Sequence, residues 1–200
     1  MPDAVIIDIV RTPGGRRNGA LSGWHPVDLA AETLKALAQR NDLDPALVDD
    51  VIMGCVMQAG AQALNVGRNA VLAAGWPEEI PSTTVDRQCG SSQQAVHFAA
   101  QGVLAGSYDL AIACGVESMT RAPMASNATS KPVTIGKDDD AFPVGGQGPF
   151  SRAFLDACDG QLMTQFEVAQ ILADRHGITR VEMDEFAVRS HERAHAATVD

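Results

Sequence analysis

Aromatic side chains are scarce: six Phe, two Trp and one Tyr make up 4% of 200 residues, while 46% of the chain is apolar. A core with so few rings has to be packed from small aliphatic side chains, which suits closely stacked helix-on-sheet layers. Positive charge is also short, with 15 Lys and Arg against 25 Asp and Glu and a net charge of −10. That balance repels nucleic acid and anionic membranes, so neither is an expected partner, although a local basic patch could still hold phosphates. No apolar run approaches the roughly 18 residues that span a bilayer, so no membrane insertion is expected. Met1-Pro2-Asp3 leads into an apolar run without the basic start and long hydrophobic stretch of a secretory leader. Cysteine is limited to Cys55, Cys89, Cys114 and Cys158, with no CxxC spacing, and the expectation is reduced thiols in a cytoplasmic protein. No HExxH pattern or carboxylate-rich cluster accompanies the histidines, so no metal site is expected.

What remains is enough chain for one large domain or two small ones. "AVIIDIV" (4–10) predicts a buried strand, followed by a Gly-rich turn region with three arginines at 11–23. Val27, Ala30, Ala31, Leu34 and Leu37 share one face, predicting a helix over 27–40. A strand running into a loop is expected at 49–60, a helix at 65–75 with Gly75 as its cap, and an extended stretch through Thr83, Thr84 and Val85. A helix over 91–105 closed by Gly106 and a strand over 109–119, apolar throughout and hence covered on both faces, complete a βαβαβαβ order. That order predicts an α/β fold with a mainly parallel sheet flanked by helices. Residues 120–163 concentrate Gly, Pro, Ser and Asp and predict an irregular stretch, a length usually functional or mobile. Helical periodicity returns at 164–177 and 179–197, the latter opened by a Thr179/Glu182 capping pattern.

"VDRQCGSSQQAV" (85–96) places Cys89 where a strand turns into a helix. The unpaired N–H groups and positive dipole end of that helix favour a thiolate and could receive an oxyanion. Gly90 leaves room for a substrate, and Ser91 and Ser92 fit the first helical turn as small polar residues. Free cysteines are commonly just small buried hydrophobes, the reading that suits Cys114 and Cys55 within apolar strands. Cys158 stands in a polar loop without a helix terminus. A nucleophilic cysteine needs a base, and none stands out. His97 lies about 12 Å further along the same helix, His25 reads as a capping or solvated residue, and His176 as a partner of a helix C-terminus. His191 and His195 share one helix face.

These segments resemble the thiolases, acyl-CoA:acetyl-CoA acyltransferases whose nucleophile segment usually runs Cys-Gly-Ser-Gly. "ACGVESMTRAP" (113–123) resembles the family's Gly-Gly-x-Glu-Ser-Met-Ser stretch, with Cys114 in place of the first glycine. "RTPGGRRNGALSG", "VDDVIMGCVMQAG" and "GITRVEMDEFAVRSHERA" match in the same order, so the resemblance covers nearly the whole chain. It implies a thiolase-like layered fold, with a core at 1–119 and a helical or irregular CoA-covering insertion at 120–200. It implies ping-pong acyl transfer, with Cys89 attacking the carbonyl of an acyl-CoA or 3-ketoacyl-CoA and its backbone N–H helping to hold the oxygen. Coenzyme A enters as substrate, and no cofactor is implied. A homo-oligomer, a dimer or a dimer of dimers, is implied by analogy.

The departures are as informative. The family's Gly-His-Pro histidine and its second cysteine, in Cys-x-Gly-Gly-Gly, are absent, and family chains are about twice as long. The expectation is a first half that stops inside the insertion before its last strand, inactive alone and continued in the same polypeptide or supplied by another chain. On alignment at "GITR", the family's His-Met-Gly pocket stretch falls on Thr164, Gln165 and Phe166, which argues against strict acetoacetyl-CoA specificity and towards longer or bulkier 3-ketoacyl-CoA. His191 falls where the covering helix approaches CoA. The alternatives are a ketosynthase-like condensing enzyme, a non-catalytic subunit of the same fold, or a plain α/β binding domain. "GVESM" and the helix that includes His191 favour thiolase, and the retained Cys89 counts against a non-catalytic subunit.

Overall fold

The computed structural model describes residues 3–128, 133–134, 143–144, 152–157 and 164–199. The chain divides into two compact units, Met1–Gly146 and Gln147–Asp200. In the first, α1 (Pro26–Arg40) precedes β1 (Asp50–Gly54), α2 (Val66–Ala73), β2 (Ser82–Val85), α3 (Ser91–Leu104) and β3 (Ala111–Gly115). A short antiparallel pair follows, β4 (Val133–Thr134) with β5 (Pro143–Val144).

The three longer strands form a parallel sheet in the order β2-β1-β3. From β1 the chain moves to one side to make β2, then crosses back over β1 to make β3. Parallel crossovers are right-handed, so this reversal puts α2 and α3 on opposite faces of the sheet. The core shows it. Val51 and Met53 of β1 pack with Leu34 of α1, Val66 and Val71 of α2 and Ile112 of β3, while Ile52 points the other way to Ala95 and Ala99 of α3. Burying one such aliphatic side chain contributes about 1.5–3 kcal/mol. Both faces are covered, as the continuous apolar runs imply.

The helix ends follow local chemistry. His25 caps α1, its Nδ1 accepting from Val27 N at 3.3 Å, with Pro26 supplying the first helical residue. Asn65, in the left-handed region at φ 59°, accepts from Arg68 N and starts α2. Gly75 and Gly106 stop α2 and α3 with φ of 76° and 73°.

One expected element does not form. Residues 4–10 belong to no strand, and Val5, Ile6, Ile7 and Ile9 are 72–76% exposed. Their β-branched side chains favour a strand only where a ladder exists to join. Here the run is held instead by Asp8, which pairs with Arg40 at 3.1 Å and accepts from Asn41 Nδ2 at 2.9 Å. A cleft of about 250 Å3 lies between residues 8–12, α1 and the outer edge of β3, which carries no further strand among the described residues.

The second unit holds α4 (Arg152–Ala157), α5 (Gln165–His176) and α6 (Arg180–Val199). A reciprocal capping box opens α5, with Thr164 N donating to Glu167 at 2.6 Å and Glu167 N to Thr164 Oγ1 at 3.3 Å. Thr179 and Glu182 repeat the arrangement before α6. Ala173 is the one residue of these helices that is buried among those described. The irregular stretch expected at 120–163 contains the β4–β5 pair and α4; Cys158 lies outside the described residues. No helix among the described residues is long and apolar enough to cross a membrane.

Candidate active site

In a parallel sheet of this kind the loops at the carboxyl ends of the strands frame the reactive crevice, next to the strand at which the strand order reverses. Here that strand is β1. The segments leaving β1, β2 and β3 at this end are residues 55–65, 86–90 and 116–125.

The turn from β2 into α3 is tightly wound. Gln88 N donates to Asp86 Oδ1 at 2.7 Å, and Gly90 N to Arg87 O at 3.0 Å. Gln88 takes φ 47°, a conformation costly for a side chain other than glycine. Ser91, only 4% exposed, accepts from Arg87 N at 2.9 Å and donates to Gln88 O at 2.5 Å. Ser91 N also donates to Gln88 O at 3.0 Å. The N–H groups of Gly90 and Ser91 are therefore engaged in building the turn, whereas the sequence suggested that such groups at the helix start could receive an oxyanion. Gly90 is not required by the backbone: its φ is −94°, and an added Cβ would meet Arg87 O at an ordinary 3.4 Å. Its missing side chain leaves open space beside Cys89.

Among the described cysteines Cys89 alone is exposed. Burial, followed by the negative charges of Glu117 and Asp86, pushes the Cys55 thiol up to about 12. Burial alone pushes Cys114 up to about 12. Both stay protonated at neutral pH and are poor nucleophiles. Cys89 is the described thiol left open to a reagent.

Two features that the sequence did not reveal hold this end of the sheet. The first is contact without side chains: a Cβ on Gly54 would lie 2.3 Å from Ser92 N, and one on Gly115 would lie 2.8 Å from Ser92 Cβ. The last residues of β1 and β3 are bare so that the first turn of α3 can rest on them. The second is a polar clamp. Glu117 accepts from Val56 N at 2.8 Å and Met57 N at 3.3 Å, and from Gln62 Nε2 at 2.8 Å. The fully buried Gln62 also donates to Met57 O at 2.8 Å and accepts from Ser118 N at 2.6 Å. Glu117 thus ties the loop after β1 to the loop after β3. Its place in "GVESM" was the available signal, but its partners lie some sixty positions away.

The other candidates lie in the second unit, described within it. Thr164 is the cap of α5, Gln165 and Phe166 open that helix exposed, Phe166 at 87%, and His191 is exposed on α6. Cys89 is in the first unit and is not grouped with them. Among the described residues no side chain hydrogen-bonds Cys89 Sγ; His97 is exposed along α3, and His25 is occupied as a cap. No group of three or more His, Cys, Asp or Glu among the described residues is placed to hold a metal.

The thiolase N-terminal domain matches residues 4–200. The steroid 3-ketoacyl-CoA thiolase FadA6 of Mycobacterium tuberculosis is 45% identical over 98% of this chain and 46% of its own length. A 3-ketoacyl-CoA thiolase of Shewanella loihica is 41% identical over 100% of this chain and 47% of its own. Among solved structures, the Bacillus anthracis acetyl-CoA acetyltransferase superposes with a TM-score of 0.71 at 32% identity, covering 92% of this chain and 44% of that one. The chain spans about half the length of the curated relatives it matches. A domain match across residues 4–200, a solved neighbour with the same layered architecture and a cysteine at the β2–α3 turn agree: the chain belongs to the thiolase family and carries its N-terminal domain.

Proposed function

We propose that this chain supplies the nucleophile for acyl transfer between acyl-CoA and acetyl-CoA or CoA. The observation that carries the reading is the position of Cys89, the exposed thiol at the turn into α3. With 3-ketoacyl-CoA, the Cys89 thiolate attacks the C3 keto carbon, forming an S–C bond. The C2–C3 bond then breaks, and the departing acetyl-CoA carbanion takes a proton. CoA thiolate next attacks the acyl thioester and frees Cys89. In the reverse, condensing direction the acetyl-CoA carbanion attacks the acyl-Cys89 carbon and the thiolate leaves. The proton steps need a base and an acid. We assign these to the remaining length of the protein, since no described side chain hydrogen-bonds Cys89 Sγ.

In the same reading residues 1–119 are the core and 120–200 the insertion that covers CoA. Thr164, Gln165, Phe166 and His191 contribute to the acyl and CoA walls. The bulky Phe166 stands where short-chain family members carry His-Met-Gly, and a relative is named for steroid substrates. We therefore assign longer or bulkier 3-ketoacyl-CoA, in lipid breakdown, as the substrate class. A cytoplasmic homo-oligomer, dimer or dimer of dimers, completes the proposal.

Intact-protein mass after brief incubation with acetyl-CoA tests it, with the Cys89→Ser variant beside the wild type at the protein's full length. The expected result is one acetyl adduct that Cys89→Ser abolishes. No adduct, or one that survives the substitution, overturns the reading.

A further inference from the structure

The turn that presents Cys89 contains a contradiction. Gln88 holds φ 47°, where a non-glycine residue is held only by its surroundings. Beside the bonds that Gln88 N makes to Asp86 and Gly90 N makes to Arg87 O, one hydroxyl touches this turn at two points. Ser91 Oγ accepts from the Asp86–Arg87 peptide, through Arg87 N at 2.9 Å, and donates to the Gln88–Cys89 peptide, through Gln88 O at 2.5 Å. Ser91 is itself 4% exposed, so this hydroxyl is committed to the turn rather than to solvent. Its two hydrogen bonds span Arg87 and Gln88, and the second holds the peptide that enters Cys89. We propose that Ser91 is a positioning residue for acyl transfer, a latch that holds the strained turn and so sets the direction in which the Cys89 thiol points. The inference rests on the reading of Cys89 as nucleophile and assigns Ser91 no contact with substrate.

A misplacement of about 1 Å in a reacting group can cost about 100-fold in rate, so loss of the latch has a large expected effect. Acetylation of Cys89 by acetyl-CoA and alkylation by iodoacetamide are followed by intact mass in wild type, Ser91→Ala, Ser91→Thr and Ser91→Ala/Gln88→Gly, at the protein's full length. Ser91→Ala is expected to slow acetylation at saturating acetyl-CoA at least about tenfold, with the half-saturating concentration unchanged within about twofold. Ser91→Thr, which keeps the hydroxyl, returns most of the rate. Gln88→Gly returns part of it in the Ser91→Ala background, because glycine holds a positive φ without a latch. Rates for Ser91→Ala within about twofold of wild type with both reagents overturn the proposal. If Ser91→Ala does not fold, Ser91→Thr decides: a near-wild-type rate supports the latch and a rate tenfold lower overturns it. If wild type takes no acetyl group, the acyl-transfer reading fails by itself. The latch is then judged by iodoacetamide: slowing in Ser91→Ala that Ser91→Thr reverses supports it, and equal rates overturn it.

Discussion

The two units of this chain reach order by different routes. The first is built from long-range contacts: β1 has a strand on each side, its side chains alternate between two helical layers, and bare glycines allow α3 to touch the sheet. The second is built from local signals. Its helices α5 and α6 start at Thr/Glu capping boxes, a left-handed Gly177 ends α5, and they bury almost nothing within the unit. The first unit therefore resists change at particular atoms. The second tolerates change along its exposed faces and depends on its ends.

Three perturbations sharpen that contrast. The largest effect is expected from Gly54→Ala. Its methyl would sit 2.3 Å from Ser92 N and 2.5 Å from the Ser91 carbonyl carbon, both backbone atoms that cannot swing aside. The first turn of α3 must lift, at a cost of about 3 kcal/mol, the upper range for overpacking. A lower urea midpoint together with loss of the Cys89 acetyl adduct is the expected pair of readings. An unchanged midpoint would show that α3 does not rest on β1.

Gly102→Ala should cost less, about 1–3 kcal/mol. Its methyl would lie 2.2 Å from Tyr108 Cδ2, but a ring can move where a backbone cannot. Moving it breaks the hydrogen bond from Tyr108 Oη to Asp50 at 2.8 Å. Adding Tyr108→Ala should make the pair of substitutions less than additive in thermal unfolding, the signature of one shared contact.

The smallest effect is acid fraying of the second unit. Backbone and side-chain hydrogen bonds from Thr164 hold Glu167 below the ordinary carboxylate range, and those from Thr179 do the same to Glu182. A depressed folded value means that this support is fully present above about pH 4.3, the ordinary glutamate pKa. It is lost as pH falls through the lower folded value. Hydrogen exchange at the first turns of α5 and α6 should quicken in that window, and Thr164→Ala should remove the pH dependence for α5 alone. Equal quickening throughout both helices would point to global acid unfolding.

Much of this was legible in the sequence because it is local. Capping residues, glycine stops and the apolar period of each helix are written within a few positions, and Cys89 stood out by its place before a helix. Three things were not. Residues 4–10 have the composition of a strand, but a strand needs a neighbour, and no composition says whether one is present. Glu117 and Gln62 meet across 55 positions of chain, a pairing that only folding creates. Ser91 looked like a small polar residue suited to a first turn, because nothing in its neighbours announces that Gln88 takes a left-handed conformation.

The bare joint between Gly54, Gly115 and the start of α3 bears on how such a protein can diversify. Nearly every substitution there adds a side chain, and even the smallest meets backbone or Ser92. The mounting of the turn that carries Cys89 is thus almost closed to mutational exploration. Variation is tolerated more readily in exposed positions such as Phe166, where a new side chain disturbs no packed neighbour within its unit. A lineage of such proteins could change its exposed faces while the thiol keeps the same mounting.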